Sequence, residues 1–356
     1  MTKRGKRWLY FSGGLTVGLV VAGLLTRSWY IEGLRPTPPG EEFLIRYDRG
    51  STFFGAVADL ALRGVIRNER VFLLYCRLQK KGVPPSSGTY RFHPGMTTDE
   101  ILKAMNSPLV QMVRIPEGWW IARAAQVLED HNVCSAEEYI ALANDPSKFE
   151  DAVDFPLPEG SLEGYLYPDT YDFPPLLGAK NVILMQLRTF ETKVLDEFVK
   201  LSKWDEDVGL RAGWAPPDVR YFITIASMIE LEAAVEKDRP MIAGVIENRL
   251  KANMTLDIDA TIMYALQEWR TLEAGETRTV DSPYNTYRNS GLPPGPIGSP
   301  AWRSIKAAIN PAEHDYYYYY APPGSMEHIF TKSYDEHRRA IRNPDQFIPP
   351  AEVAQP

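Results

Sequence analysis

The hydrophobic pattern opens with a charge-free run at residues 8–26, WLYFSGGLTVGLVVAGLLT, preceded by Lys3, Arg4, Lys6 and Arg7. At a rise of 1.5 Å per residue such a helix is about 28 Å long, close to a hydrocarbon core of about 30 Å. The four basic residues place the N-terminus in the cytoplasm, and Trp8, Tyr10, Trp29 and Tyr30 sit where interfacial aromatics belong. No A-x-A-like site closes the run, so the pattern predicts an uncleaved single-pass anchor. Pro36, Pro38, Pro39 and Gly40 then form a short stiff linker. Everything from about residue 41 is therefore expected outside the cytoplasm.

Between 42 and 133 the polarity alternates as a strand, breaks at a turn, and resumes with helical spacing, three times over. The first unit is 43–66, with Gly50, an N-cap at Ser51 or Thr52, and Gly64 after the helix. The second, 89–106, has a Pro-Gly turn and a capping box at Thr97 and Glu100. The third is 110–133. Asn68 caps a further helix over 69–79. Beyond these, helical spacing predicts helices over 121–132, 135–143, 180–202, 218–234 and 239–252, and Tyr316 to Tyr320 reads as a strand. The segment 155–175 is a long loop rich in aromatic and acidic residues, and such loops tend to carry function.

One stretch stands out. From Tyr221 to Ile229 there is no charge, and Phe222, Ile225, Ala226 and Ile229 form an apolar stripe at helical spacing. Glu230 follows one residue from its edge. A carboxyl group there is partly desolvated and favours its proton-donating form, or else it begins a solvated polar face, a reading that Glu232 supports.

Composition narrows the function classes. The 39 Lys+Arg against 46 Asp+Glu leave a net charge of −7, the wrong sign for a general nucleic-acid binder. Two cysteines and five scattered histidines supply neither a disulfide framework nor a zinc-ligand spacing, so no metal is expected. No P-loop or G-x-G-x-x-G unit occurs, and no cofactor is expected.

The residues A-S-M-I-E-L-E (226–232) and E-K-D-R-P-M-I-A-G-V-I-E-N-R-L (236–250) resemble the signature of the YceG-like family, the endolytic murein transglycosylases of the MltG type. MTLDIDATIMY (254–264), SPYNTY (282–287), GLPPGPI (291–297), N-P-A at 310–312, the tyrosine strand, and H-I-F with E-H at 328–337 follow in the family's order. I-P-E-G at 115–118 and G-Y-L-Y-P-D-T-Y at 164–171 also fit. Asp257 stands where the family has Gln, and Ala260 where it has Pro. The stretch 41–106 resembles a LysM-like βααβ module.

The resemblance implies an α+β chain. Its parts are a cytoplasmic tip and transmembrane anchor (1–27), a Pro-rich linker (28–40), a LysM-like module (41–111), a mixed α/β catalytic domain (112–347) and a tail (348–356). It implies cleavage of the MurNAc–GlcNAc β-1,4 bond of peptidoglycan strands without water, leaving 1,6-anhydro ends. Glu230 would be the single catalytic carboxyl. Tyr284, Asn285, Thr286, Tyr287, Asn248, Asp257 and Asp259 are the expected substrate-binding residues, each with a structural reading beside it. Peptidoglycan synthases in the membrane are the implied partners, and the cell membrane the location. Two other readings stay open: a hydrolase using Asp257 or Asp259 as second carboxylate, and a non-catalytic glycan-binding scaffold.

Overall fold

The structure, a computed structural model, describes residues 3–195, 197 and 216–347, the side chains of 3–16 and 216–218 excepted. The chain divides into two compact units, Met1–Gln111 with Phe173–Leu177, and Met112–Asp172 with Gly178–Pro356.

The first unit begins with a long helix, α1 (Lys3–Leu34). The expected anchor falls on α1, and its side chains up to residue 16 lie outside the described ones. Among the described residues no helix is long and apolar enough to cross a membrane. Gly33 lets α1 approach Val71 closely, since a Cβ there would lie 2.7 Å from a Val71 methyl.

There follow β1 (Phe43–Tyr47), α2 (Phe53–Leu62), α3 (Glu69–Leu78), β2 (Gly88–Phe92) and α4 (Thr98–Met105). Local chemistry starts each helix. Thr52 is the N-cap of α2, accepting from the Gly55 amide, Asn68 caps α3, and Thr97 with Glu100 closes the capping box of α4. The strands pair antiparallel, Phe43 opposite Phe92 and Tyr47 opposite Gly88. Val57, Leu60, Phe72, Tyr90, Phe92 and Met105 fill the core between sheet and helices. Each such side chain contributes about 1.5–3 kcal/mol by leaving water.

In the second unit β3 (Met112–Arg114) pairs antiparallel with β4 (Thr170–Asp172), at the end of the loop expected over 155–175. Two helices, α5 (Ile121–Asp130) and α6 (Ala136–Ala143), follow β3. The helix expected over 180–202 is described as α7 (Ala179–Phe190), widening into a π turn over Glu191–Leu195. Its remainder, save residue 197, lies outside the described residues.

The centre of this unit is α8 (Pro216–Glu232), packed against α9 (Asp238–Lys251) and α11 (Trp302–Ile309). Its apolar side is sealed: Ile225, Ala226 and Ile229 have no exposed surface. Between these helices come α10 (Asp259–Leu266) and irregular loops. A hairpin of β5 (Tyr318–Tyr320) and β6 (Ile329–Thr331) and a final helix α12 (Tyr334–Arg342) follow.

Candidate active site

Glu230 and Glu232 sit two residues apart at the end of α8, so their side chains leave the axis about 200° apart. They enter different environments. The Glu230 side chain is 3% exposed. Arg303 donates to its Oε1 at 3.0 Å, Arg239 lies 3.3 Å from the same oxygen, and the Ala301 amide donates to Oε2 at 2.9 Å. Arg239 also meets Glu236 at 3.3 Å and the Ser304 hydroxyl, and Glu117 lies 4.0 Å from Arg303. All of these partners of Glu230 are donors, and together they tie α8 to α9 and α11. The I-P-E-G loop closes over this cluster. Gly118, at φ +75, takes a left-handed turn where a Cβ would collide with Leu231.

Glu232 faces the other way, into a cavity of about 530 Å³. Glu230 is not in its wall. Burial pushes the Glu232 carboxyl up to about 7; the Tyr319 phenol, hydrogen-bonded to it, pulls the opposite way, and the charge of Asp259 pushes up again. The Tyr319 hydroxyl is itself held well above the usual phenol range, chiefly by burial and then by the charge of Glu232, so it remains a neutral donor.

Three of the expected substrate-binding residues line this cavity: Asp257, Asp259 and Tyr287. Asp257 takes the left-handed conformation, φ +52, and its Oδ2 meets Arg249 at 3.0 Å. The Tyr287 hydroxyl donates to Asp259 at 2.6 Å. Arg249, 5.0 Å from the Tyr318 ring, also donates to the carbonyls of Leu256 (2.8 Å) and Tyr317 (2.6 Å), building the wall from three segments.

The other expected residues are turned inward. Asn285 is fully buried; its amide donates to the carbonyls of Val280 and Thr277 while its oxygen accepts from the Tyr287 amide. Thr286, 1% exposed, shares a hydrogen bond with Thr261 and accepts from the Ile258 amide. Asn248 donates to the carbonyls of His314 and Tyr316. These three side chains spend their polar atoms on positioning the segments around the cavity. Tyr284 packs on Tyr264, 4.8 Å between rings, and does not line the cavity. GLPPGPI is held from below: Arg220 donates to the Pro294 carbonyl at 2.9 Å, and the Ile297 amide donates to Ser227 at 3.0 Å.

The sequence reading took Glu232 as part of a solvated polar face, Tyr319 as part of a strand and the two cavity-wall histidines, His328 and His337, as structural, and gave none of them a site role. His328 Nδ1 and its backbone amide both meet Oδ2 of the buried Asp238, at 2.9 and 2.8 Å. His337 is kept below its usual range, first by burial and then by Arg249. The signal available for Glu232 was its two-residue offset from Glu230, which puts one of the pair on each side of α8. Among the described residues no three His, Cys, Asp or Glu side chains assemble a metal-ligand set.

The arrangement is a tyrosine-walled cavity with one protonatable carboxyl and two further carboxylates already engaged. Comparison with known proteins agrees with its sequence motifs. The model of the YceG-like family matches residues 45–343. An endolytic murein transglycosylase of Bacillus subtilis is 31% identical over 312 residues, covering 83% of each chain. One from Streptococcus pneumoniae is 27% identical over 311 residues, 78% of this chain and 54% of that protein, so the chain spans about half that relative's length. A crystal structure of a YceG-like protein from Listeria monocytogenes superimposes with a TM-score of 0.55 at 29% identity, covering 84% of this chain and 99% of the other. With its family motifs running in order across a mixed α/β unit, the chain belongs to the YceG-like family.

Proposed function

We propose that the chain is an endolytic murein transglycosylase acting on peptidoglycan glycan strands, and that Glu232 is its acid–base group. The observation that carries this reading is a carboxyl group raised to about 7 in the wall of a 530 Å³ cavity. A large share of it is protonated at neutral pH, and it has space beside it for a sugar. The proton passes to the glycosidic oxygen as the C1–O bond breaks and an oxocarbenium-like centre develops. The carboxylate left behind takes the proton of the sugar's own C6 hydroxyl while that oxygen bonds to C1. The products are a new 4-hydroxyl end and a 1,6-anhydro ring, with Glu232 again protonated. Tyr319 holds the carboxyl group in place, and Tyr287, Asp257 and Asp259 orient the sugar. The role assigned by sequence to Glu230 moves to Glu232, because Glu230 is consumed by Arg303, Arg239 and the Ala301 amide.

Digestion of purified sacculi followed by mass analysis tests the reading. Anhydro-ended muropeptides are expected, and ordinary reducing ends would overturn it. One observation favours a hydrolase as second reading: Asp259 shares the cavity with Glu232 and adds to its upward shift. A hydrolase needs its two carboxyl groups about 5–5.5 or 6.5–9.5 Å apart, and reducing ends in the same digest would select it. The scaffold reading requires binding without turnover, and any anhydro product removes it.

The proposal includes a membrane location with the glycan-cutting unit outside the cytoplasm, beside the synthases that supply nascent strands. It is supported by the charge-free run and by α1 side chains left in contact with solvent, among them Val17, Leu19 and Leu25 at 64%, 67% and 65% exposure. The protein is expected to stay with membranes through a high-salt wash. A soluble form beginning near residue 27 would show the anchor to be cleaved. The βααβ arrangement supports the LysM-like reading of 41–111. The β1–α2 and α3–β2 loops, with α2 and α3, line a cavity of about 940 Å³ that has Phe53 and Phe54 in its wall, room for a glycan.

A further inference from the structure

Away from the Glu232 cavity, three indoles gather around one cation. The Arg123 guanidinium lies 4.3 Å from the Trp119 ring, 5.6 Å from Trp269 and 5.9 Å from Trp120. A pocket of about 360 Å³ opens here, with Arg123, Trp120, Gln267 and Trp269 in its wall. Trp269 is 50% exposed. Among the described residues no carboxylate pairs with Arg123, whereas Arg239, Arg249, Arg270 and Arg303 of the same unit all have carboxylate partners. A partly covered guanidinium framed by aromatic faces, with no counter-charge of its own, is a receptor for a planar anion joined to an apolar surface.

A row of aromatic side chains runs from this pocket to the loop that lines the Glu232 cavity. Asp259 stands at the start of α10, on the cavity, and Trp269 lies three residues past its end. The seven helical steps of α10, from Asp259 to Leu266, span about 10 Å, within the reach of a short stretch of glycan. Tyr284 and Tyr287 belong to one loop; Tyr287 lines the cavity and Tyr284 lies 4.8 Å from Tyr264. Tyr264 in turn lies 6.2 Å from Trp120, and Trp120 6.2 Å from Trp269. The buried Glu163 ties the middle of this path together, its Oε2 accepting from the Ile121 amide at 3.1 Å and the Tyr264 hydroxyl at 3.3 Å.

We infer that the Trp120–Arg123–Trp269 pocket is a distal glycan subsite, in which an indole face stacks on a sugar ring and Arg123 takes a carboxylate of that sugar's peptide substituent. The inference rests on the proposed action on glycan strands and deepens it. A strand that occupies the cavity and this pocket together is held away from its ends, so the pocket biases where the cut falls.

The test uses the full chain with Trp269→Ala and Arg123→Gln, on three probes: long peptide-bearing strands, the same strands stripped of peptides by an amidase, and fragments too short to span both sites. On long peptide-bearing strands each variant is expected to lower kcat/KM roughly tenfold, the loss of about one stacking or charge-assisted contact. On stripped strands only Trp269→Ala should lose, and on short fragments neither should. Equal losses on long and short probes would mean a structural role, and no loss on long strands would remove the subsite; either overturns the inference. Indole fluorescence during titration with peptide-bearing strands reads binding without turnover. Weaker binding by both variants, in a protein that produces no anhydro ends, would retain the subsite and remove the transglycosylase reading. Unchanged binding in both variants would remove the subsite whatever the products are.

Discussion

Glu232→Gln is expected to abolish release of anhydro-ended glycans while the protein remains folded. Gln keeps the size of the side chain and its contact with Tyr319, but neither donates nor recovers a proton. A general acid–base group contributes about 10²–10⁴-fold, and one group here serves both halves of the reaction, so the loss belongs at or above the upper end. The raised carboxyl also sets the pH profile. The acid form is needed in the free enzyme and is lost above about pH 7, so kcat/KM should be level below that pH and fall tenfold per unit above it. For stability the sign is the same. The folded state holds a proton that the unfolded chain releases near its ordinary value of 4.5, so the wild-type protein loses stability as pH rises from about 4.5 to about 7. Glu232→Gln should flatten that decline in urea midpoints measured across pH. A Glu232→Gln protein that still cuts at near wild-type rate would end the assignment.

That residue was the hard one to read from sequence. Helical periodicity identified α8 and its sealed side, because Ile225, Ala226 and Ile229 recur at the spacing a buried stripe requires. Periodicity says that Glu230 and Glu232 diverge. It does not say which direction holds arginines, because Arg239 comes from α9 and Arg303 from α11, the latter 73 residues along the chain. The turn chemistry was legible wherever it was local: Thr52, Asn68 and the Thr97–Glu100 box each act within their own helix. Strand partners were not. The three strand–turn–helix units look alike in sequence, yet β1 pairs with β2 while β3 pairs with β4 from the long loop. In the same way Asn285 and Asn248 looked like groups for sugar hydroxyls, since amides suit both uses. Only the surrounding carbonyls of Val280, Thr277, His314 and Tyr316 show those amides already committed.

Replacing Glu230 should produce the opposite result to replacing Glu232: a large loss of stability with little loss of chemistry per folded molecule. Arg239 is 5% exposed and Glu230 3% exposed, so their attraction is little screened by water. Removing one partner of such a pair leaves a buried charge and typically costs about 3–5 kcal/mol, the value expected for Glu230→Ala. Arg303 adds less, because its side chain is 45% exposed. Glu230→Gln keeps an acceptor for the Ala301 amide but turns an NH2 donor toward Arg303 and Arg239 and leaves the buried Arg239 charge uncompensated, so its cost should be similar, about 3–5 kcal/mol. Urea unfolding gives the stabilities, and product release normalised to folded protein gives the activities. Because Glu230 ties α8 to α11 and to the segment carrying Ala301, some misalignment of Glu232 is expected, and turnover of folded Glu230→Gln should fall within about tenfold of wild type, well short of the 10²–10⁴ of an acid–base group. A Glu230→Gln protein with unchanged stability and no detectable turnover, beside an active Glu232→Gln, would return the catalytic role to Glu230 and make the arginine cluster its anchor.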